Sequence, residues 1–277
     1  MLILFVKLLT MKFKIKSKNV WLMGGFGNVL FQILAYRVIK KECKVTFVDF
    51  LTKKNFITKF LKWTIHEELY DKFIKKENLE KKNILSVMLI LILAIVNKKL
   101  GIKSNIACFY SENNHLKLPY SDNIFGYFQE KYFLLEHKNE LLKLCQEINK
   151  KYSNKNSNIV VHYRLGDSGW AKSNEAYYNK VKELVKLEKS VVFIATDSPI
   201  EALNFFYDCN NIQLTNTKNA MEDFEYMVSA SKLYCAPSTF SWWAAHSLSS
   251  NSEAIMPEFL YNLLGKYKEN IKIIIVD

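Results

Sequence analysis

The sequence predicts an α/β fold: parallel strands alternating with helices, divided into two units. Three observations predict it. First, short apolar runs recur through the second half: "NIVVHYR" (158–164), "SVVFIATD" (190–197), "NIQLT" (211–215), "KLYCAPS" (232–238), "EAIMP" (253–257) and "IKIIIVD" (271–277). Stretches with helical spacing separate most of them, such as "NEAYYNKVKELVKLE" and "MEDFEYMVSAS". That alternation is the signature of βαβ units. Second, the runs are continuously apolar, as expected of strands covered on both faces in parallel sheets. Third, the polar stretch "NKKYSNKNSN" (149–158) marks a boundary near residue 150, giving units 19–150 and 151–277.

In the first unit, "NVWLMGG" (19–25) reads as a buried strand running into a glycine turn. "NVLFQILAYRVIKKE" (28–42) follows with helical spacing, placing Leu30, Ile33, Leu34 and Val38 on one face. "KVTFVDF" (44–50) is the next strand, and the region from 51 to 120 is irregular and lysine-rich. Within it, "ILSVMLILILAIV" (84–96) is the longest apolar run. It is short of the roughly 20 residues a membrane-spanning helix needs. A buried core helix is expected. The alternative is a helix lying in a membrane interface, because Lys81, Lys82, Lys98 and Lys99 flank the run. The opening "MLILFVKLLTMKFKIKSK" has an apolar run broken by Lys7 and no small-residue cleavage site, so it does not read as a signal peptide.

The chain has 277 residues and an apolar fraction of 49 %, enough for a substantial core. Its five cysteines are scattered, with no Cys-x-x-Cys pair. This argues against a disulfide framework and a zinc site and suits reduced thiols in a cytoplasmic protein. The net charge of +12 is carried by the first half: residues 1–150 hold 26 Lys/Arg against 13 Asp/Glu, and residues 151–277 hold 13 against 14. A basic half attracts anionic partners, among them nucleic acid, an anionic membrane face or acidic glycolipids; a solvated lysine-rich surface is the plainer reading. It lacks the interleaved aromatics or binding module of a nucleic-acid protein, so none is expected as partner.

Three polar clusters sit at strand ends, where α/β sheets bind ligands. The first is "GGFGN" (24–28): three of the chain's eight glycines fall in five positions. Gly24 and Gly25 allow close backbone approach, and Asn28 is also a good helix cap. The spacing is neither that of a dinucleotide fingerprint nor that of a P-loop. The second is "HYRLGD" (162–167), which puts His162, Arg164 and Asp167 just past a strand. Arginine can clamp a phosphate bidentately; an Arg–Asp surface pair is the alternative. The third is "PSTFSWWAA" (237–245), where Ser238, Thr239 and Ser241 open a helix. Hydroxyls and free N–H groups there form an anion site, while Trp242 and Trp243 are expected in the core. A fourth strand end, "ATDS" (195–198), offers Asp197 as a cap for the helix after Pro199. Together these point to a phosphorylated ligand between two α/β units.

The set resembles the bacterial α-1,2-fucosyltransferases of glycosyltransferase family 11. Their glycine motif compares with "GGFGNVLFQ" (24–32), their His-x-Arg-Arg-Gly-Asp with "HYRLGD", and their Ser-Thr-Phe-Ser-Trp-Trp-Ala-Ala with residues 238–245. "GYFQEKYF" (126–133) and "ATDS" also match family segments. The resemblance implies a GT-B architecture and an inverting, metal-independent transfer of fucose from GDP-fucose to the 2-hydroxyl of a galactoside, with no cofactor. It implies that Arg164 holds the donor phosphates, that His162 and Asp167 shape that loop, and that Ser238, Thr239 and Phe240 line the phosphates. Asp223 falls where related enzymes place a carboxylate for the guanine edge, and Asn28 near the reacting centre. Leu165 and the pair Val29 and Leu30 depart from the family motifs. Leu165 removes a cation, which keeps a different GDP-sugar open as donor. Such an enzyme would act at the inner membrane face on a galactose-containing glycan or lipid-linked oligosaccharide, with peripheral contact to anionic lipid.

Overall fold

The computed structural model describes residues 17–51, 83–102, 106–110, 121–153, 158–165 and 175–275. The amino-terminal apolar run, Gly166, Asp167 and Gly169 lie outside the described residues.

The first sheet grows from β1 (Lys18–Met23), whose last five residues are buried. The chain turns at Gly24 and Gly25 into α1 (Phe26–Lys40), then returns as β2 (Val45–Leu51). Helix α2 (Ile84–Leu100) and the short strands β3 (Ala107–Phe109) and β4 (Asn123–Phe125) complete a parallel sheet of order β2-β1-β4-β3. Gln32, fully buried on α1, closes the carboxyl end of this sheet. Its amide donates to the Met23 and Gly126 carbonyls at 3.1 Å each and accepts from Met23 N–H at 3.0 Å.

Helices α3 (Lys131–Glu136) and α4 (Lys138–Tyr152) lead to the second sheet. There β5 (Ile159–Tyr163), α5 (Glu175–Leu187), β6 (Val192–Thr196), α6 (Pro199–Phe205), β7 (Ile212–Leu214), α7 (Ala220–Val228), β8 (Lys232–Tyr234), α8 (Thr239–Ser247), β9 (Glu253–Pro257), α9 (Glu258–Leu264) and β10 (Ile271–Ile274) follow one another. All pairings are parallel, in the order β10-β9-β8-β5-β6-β7. Every second-half strand read from the sequence is present. The α/β class and the two parallel sheets agree with the architecture expected.

One continuous core joins the sheets. Helices α1, α4 and α8 pack between them, and Phe31 of α1 sits 4.9 Å from the Trp243 ring and 5.2 Å from Trp242. Both tryptophans are fully buried, as expected. Helix α1 differs from the one-faced helix of the sequence reading: Phe31, Gln32, Ala35 and Ile39 are buried along with Leu30, Ile33, Leu34 and Val38. It is covered on one side by its own sheet and on the other by α4 and α8, so no solvent face remains. The closest approach is at Gly27, where a Cβ would lie 2.6 Å from Thr239 Oγ1 and 2.7 Å from Phe240 N.

Helix α2 corrects another expectation. It is not a buried core helix. Val87, Leu91 and Ala94 pack against Trp21 and Phe125, but Leu85, Leu89 and Leu100 are 65–75 % exposed. Asn83 caps its start by accepting from Ser86 N–H at 2.8 Å, and Gly101, at φ 65°, ends it.

The Gly27 contact leads to a prediction. Gly27→Ala should lower the unfolding free energy by about 1–3 kcal/mol, the cost of overpacking against fixed backbone. Gly25→Ala, whose Cβ would meet nothing within 4 Å, should stay within about 0.5 kcal/mol of the parent. Urea titration of both variants checks this.

Candidate functional site

Strand order locates the site. In the second sheet the chain enters at β5, runs outward through β6 and β7, then returns to β8 and runs the other way through β9 and β10. The switch between β5 and β8 is where a doubly wound sheet opens a crevice for a ligand. His162 and Arg164 end β5, and the 237–241 segment follows β8. In the first sheet β1 and β4 are neighbours, and the glycine turn and residues 126–130 follow them.

Side-chain hydrogen bonds bridge both places. Gln129 Nε2 donates to Asn28 Oδ1 at 2.6 Å, tying the loop after β4 to the start of α1. The ring of His162 bonds the Ser241 hydroxyl, which accepts from Ala236 N–H at 3.0 Å, tying β5 to the segment after β8. Thr239 Oγ1 then donates to Asn28 Oδ1 at 3.1 Å and joins the two. With two donors on its oxygen, the Asn28 amide has a set orientation. Its Nδ2 faces Gly24, 2.7 Å from where a Cβ would be, with the Tyr127 ring on the other side of that gap. Gly24 therefore serves twice: it holds φ 80° and leaves room for the amide. Phe128 is held at φ 53° between Tyr127 and Gln129, the kind of local strain that collects at functional sites.

On the other flank, Arg164 Nε lies 3.9 Å from Asp197 Oδ2, and Leu165 N–H donates to Asp197 Oδ1 at 3.3 Å. Asp197 is therefore not the cap of α6, as read from the sequence; it holds the turn after β5 against the end of β6. Tyr178 OH accepts from Arg164 N–H at 3.3 Å and donates to its carbonyl at 3.4 Å, fixing the backbone there. Leu165 packs its side chain onto the apolar cluster under this sheet. Asp223, in the first turn of α7, accepts from the Thr217 hydroxyl at 2.5 Å and the Thr215 hydroxyl at 3.4 Å, both on Oδ1. Burial raises its pKa, and the nearby Glu222 and Asp197 charges add to the rise, opposed by the two hydroxyls.

Phe26 of α1, Phe224 of α7 and Phe240 of α8 form a triad with centroids 5.0, 5.1 and 6.1 Å apart. It packs the first turns of α1 and α8 against the second turn of α7, and the N–H groups of those first turns give the region a positive field. Ser238 caps α8 by accepting from Phe240 N–H at 3.2 Å. Ser241 is fully buried and occupied by His162, and the Thr239 hydroxyl is occupied by Asn28. The Phe240 side chain belongs to the triad. Of the sequence-derived residues, Asn28, Thr239 and Gly24 meet at one place and His162 reaches the same segment of α8. Gly25 borders open space.

Sequence reasoning assigned no role to Gln129, Thr215 or Thr217, and the wrong role to Asp197. Gln129 stands in a segment noted for its resemblance alone; its partner Asn28 is 101 residues away, and no spacing rule connects them.

Burial, reinforced by Arg164, lowers the His162 pKa to about 3; burial also takes His246 to about 3, where its ring bonds the Trp242 carbonyl and accepts from Tyr267 N–H. Both are neutral in the native state, while in the unfolded chain they gain protons below pH 6.5. Their full contribution to stability is present above pH 6.5 and is lost as pH falls toward 3, at about 1.4 kcal/mol per pH unit for each ring. NMR titration should show both imidazoles neutral down to about pH 4. Separately, Gln129→Ala should leave the Asn28 amide held on its oxygen by Thr239 alone, with a change of no more than about 1.5 kcal/mol in the unfolding free energy. A thermal melt beside the side-chain amide signals in NMR checks it.

No family model and no curated protein matches the chain. Among solved structures it is similar to the E. coli heptosyltransferase WaaC with ADP, at 8 % identity and TM-score 0.48, covering 93 % of this chain and 92 % of that one. It is also similar to the fucosyltransferase NodZ from Bradyrhizobium, at 13 % identity and TM-score 0.41, covering 84 % and 94 %. A third is UDP-N-acetylglucosamine 2-epimerase from Rickettsia bellii, at 11 % identity and TM-score 0.40, covering 87 % and 78 %.

Proposed function

We propose that the protein is a glycosyltransferase of GT-B architecture that moves fucose from GDP-fucose to the 2-hydroxyl of a galactoside, with inversion and without a metal. The observation that carries this reading is the pairing of Arg164 and the α8 amino terminus on either side of the β5/β8 switch point. A diphosphate there would meet a guanidinium and helix N–H groups. Asp223 Oδ2, which has no hydrogen bond among the described residues, is suited to accept from the N–H edge of guanine.

In the reaction the acceptor oxygen attacks the anomeric carbon, the bond from that carbon to the phosphate oxygen breaks, and the acceptor hydroxyl's proton passes to water. The charge that develops on the departing GDP is met by Arg164 and the α8 terminus. Asn28 presents a donor, Nδ2, and so orients an oxygen rather than taking a proton. Positioning of the acceptor supplies much of the remaining acceleration.

Leu165 supports a second reading, transfer of a different GDP-sugar. Where the family motif has an arginine, this side chain joins the apolar cluster and presents no cation.

The test is release of GDP from GDP-fucose and from other GDP-sugars, with and without a β-galactoside. Acceptor-dependent release from GDP-fucose alone supports the first reading, and release from another donor the second. Absence of GDP binding would sink both. Arg164→Ala should cut turnover by at least ~100-fold, the scale of losing one charge-stabilising donor; near-normal turnover removes Arg164 from the mechanism.

A further inference from the structure

Helix α2 has two apolar faces and one of them is uncovered. Val87, Leu91 and Ala94 are pinned against Trp21 and Phe125, so the helix cannot rotate to hide the other. The outward side chains Leu85, Met88, Leu89, Ile92, Val96 and Leu100 are 41–75 % exposed. They follow the spacing of a single helical stripe. No charged residue interrupts positions 84–97. A continuous exposed apolar surface of this kind marks a contact site.

The charges around the stripe select the partner. From Lys81 to Ser111 the sequence holds five lysines and no acidic residue. Lys99 stands exposed at the carboxyl end of the helix, at the edge of the stripe, while the Lys98 ammonium lies over the Phe109 ring on the sheet side at 5.2 Å. A second copy packed along this stripe would bring lysine-rich ends against each other, with no carboxylate from this stretch to pair them. An anionic lipid surface meets both requirements: acyl chains for the stripe and headgroup charge for the lysines. At 17 residues the helix is about 26 Å long, and no helix among the described residues is long and apolar enough to cross a membrane.

We infer that the outward face of α2 docks the protein on an anionic membrane, the helix lying parallel to the surface with Leu89 and Ile92 in the acyl boundary and Lys99, at the edge of the stripe, at the headgroups. The inference stands independently of the donor and acceptor chemistry.

The experiment is sedimentation of the full chain with phosphatidylcholine vesicles and with mixed phosphatidylcholine–phosphatidylglycerol vesicles. The expected result is binding to the mixed vesicles that weakens toward ~1 M salt, where the Debye length is about 3 Å. Leu89→Ser combined with Ile92→Ser should weaken that binding by at least ~10-fold, from the apolar area withdrawn. Thermal melts should show that this variant is folded. Lys99→Gln leaves the stripe intact, and should reduce both the preference for anionic vesicles and the salt dependence. The inference is overturned if the parent stays in the supernatant, if the serine variant binds as the parent does, or if the parent is a dimer that only the serine substitutions dissociate. An equal supernatant fraction for parent and both variants would mean that another part of the chain covers the stripe, which overturns it as well.

Discussion

The arrangement depends on how closely α1 can lie on α8. At Gly27 there is no room for a methyl group between the two helices. That single absence lets Phe26 reach Phe224 and Phe240, lets Phe31 reach both tryptophans, and brings Asn28 within hydrogen-bond distance of Thr239. A side chain at 27 would push these contacts apart together. The glycine cluster thus divides its labour: Gly24 makes the turn and clears space for an amide, Gly25 borders open space, and Gly27 sets the distance between two halves of the molecule.

Much of this was legible in the sequence, and for local reasons. The strands of the second half are short apolar runs bounded by turn residues, which period and punctuation identify without tertiary information. The ends of β1, β5 and β8 carried visibly polar clusters, and the structure gathers Asn28, His162 and Thr239 into one connected group. What could not be read was contact between distant positions. Helix α1 looked one-faced because its second covering, from α4 and α8, comes from more than a hundred residues away. Gln129 looked like an ordinary loop glutamine. Asp197 has the composition and position of a helix cap, but the Leu165 amide and the Arg164 charge compete for it. Helix α2 failed in the opposite direction: an apolar run of thirteen residues broken only by Ser86 implies a core, and composition cannot say that only half of a cylinder finds one.

The electrostatic design separates two kinds of polar group. Deep groups are kept neutral and used as struts: His162 and His246 are held uncharged by burial and bonded on the ring. Groups at the strand ends are only partly buried and are steadied from the side, as Asn28 is by the two donors on its Oδ1, so the amide keeps a fixed direction.

The shared core also bears on motion. Two-sheet proteins that close on a ligand by hinging do so across interfaces that part at little cost. Here, parting α1 from α8 would expose Phe31, Trp242 and Trp243, all fully buried, at about 1.5–3 kcal/mol for each large side chain. Rigid-body opening between the sheets is therefore expensive, and the two sheets behave as one frame.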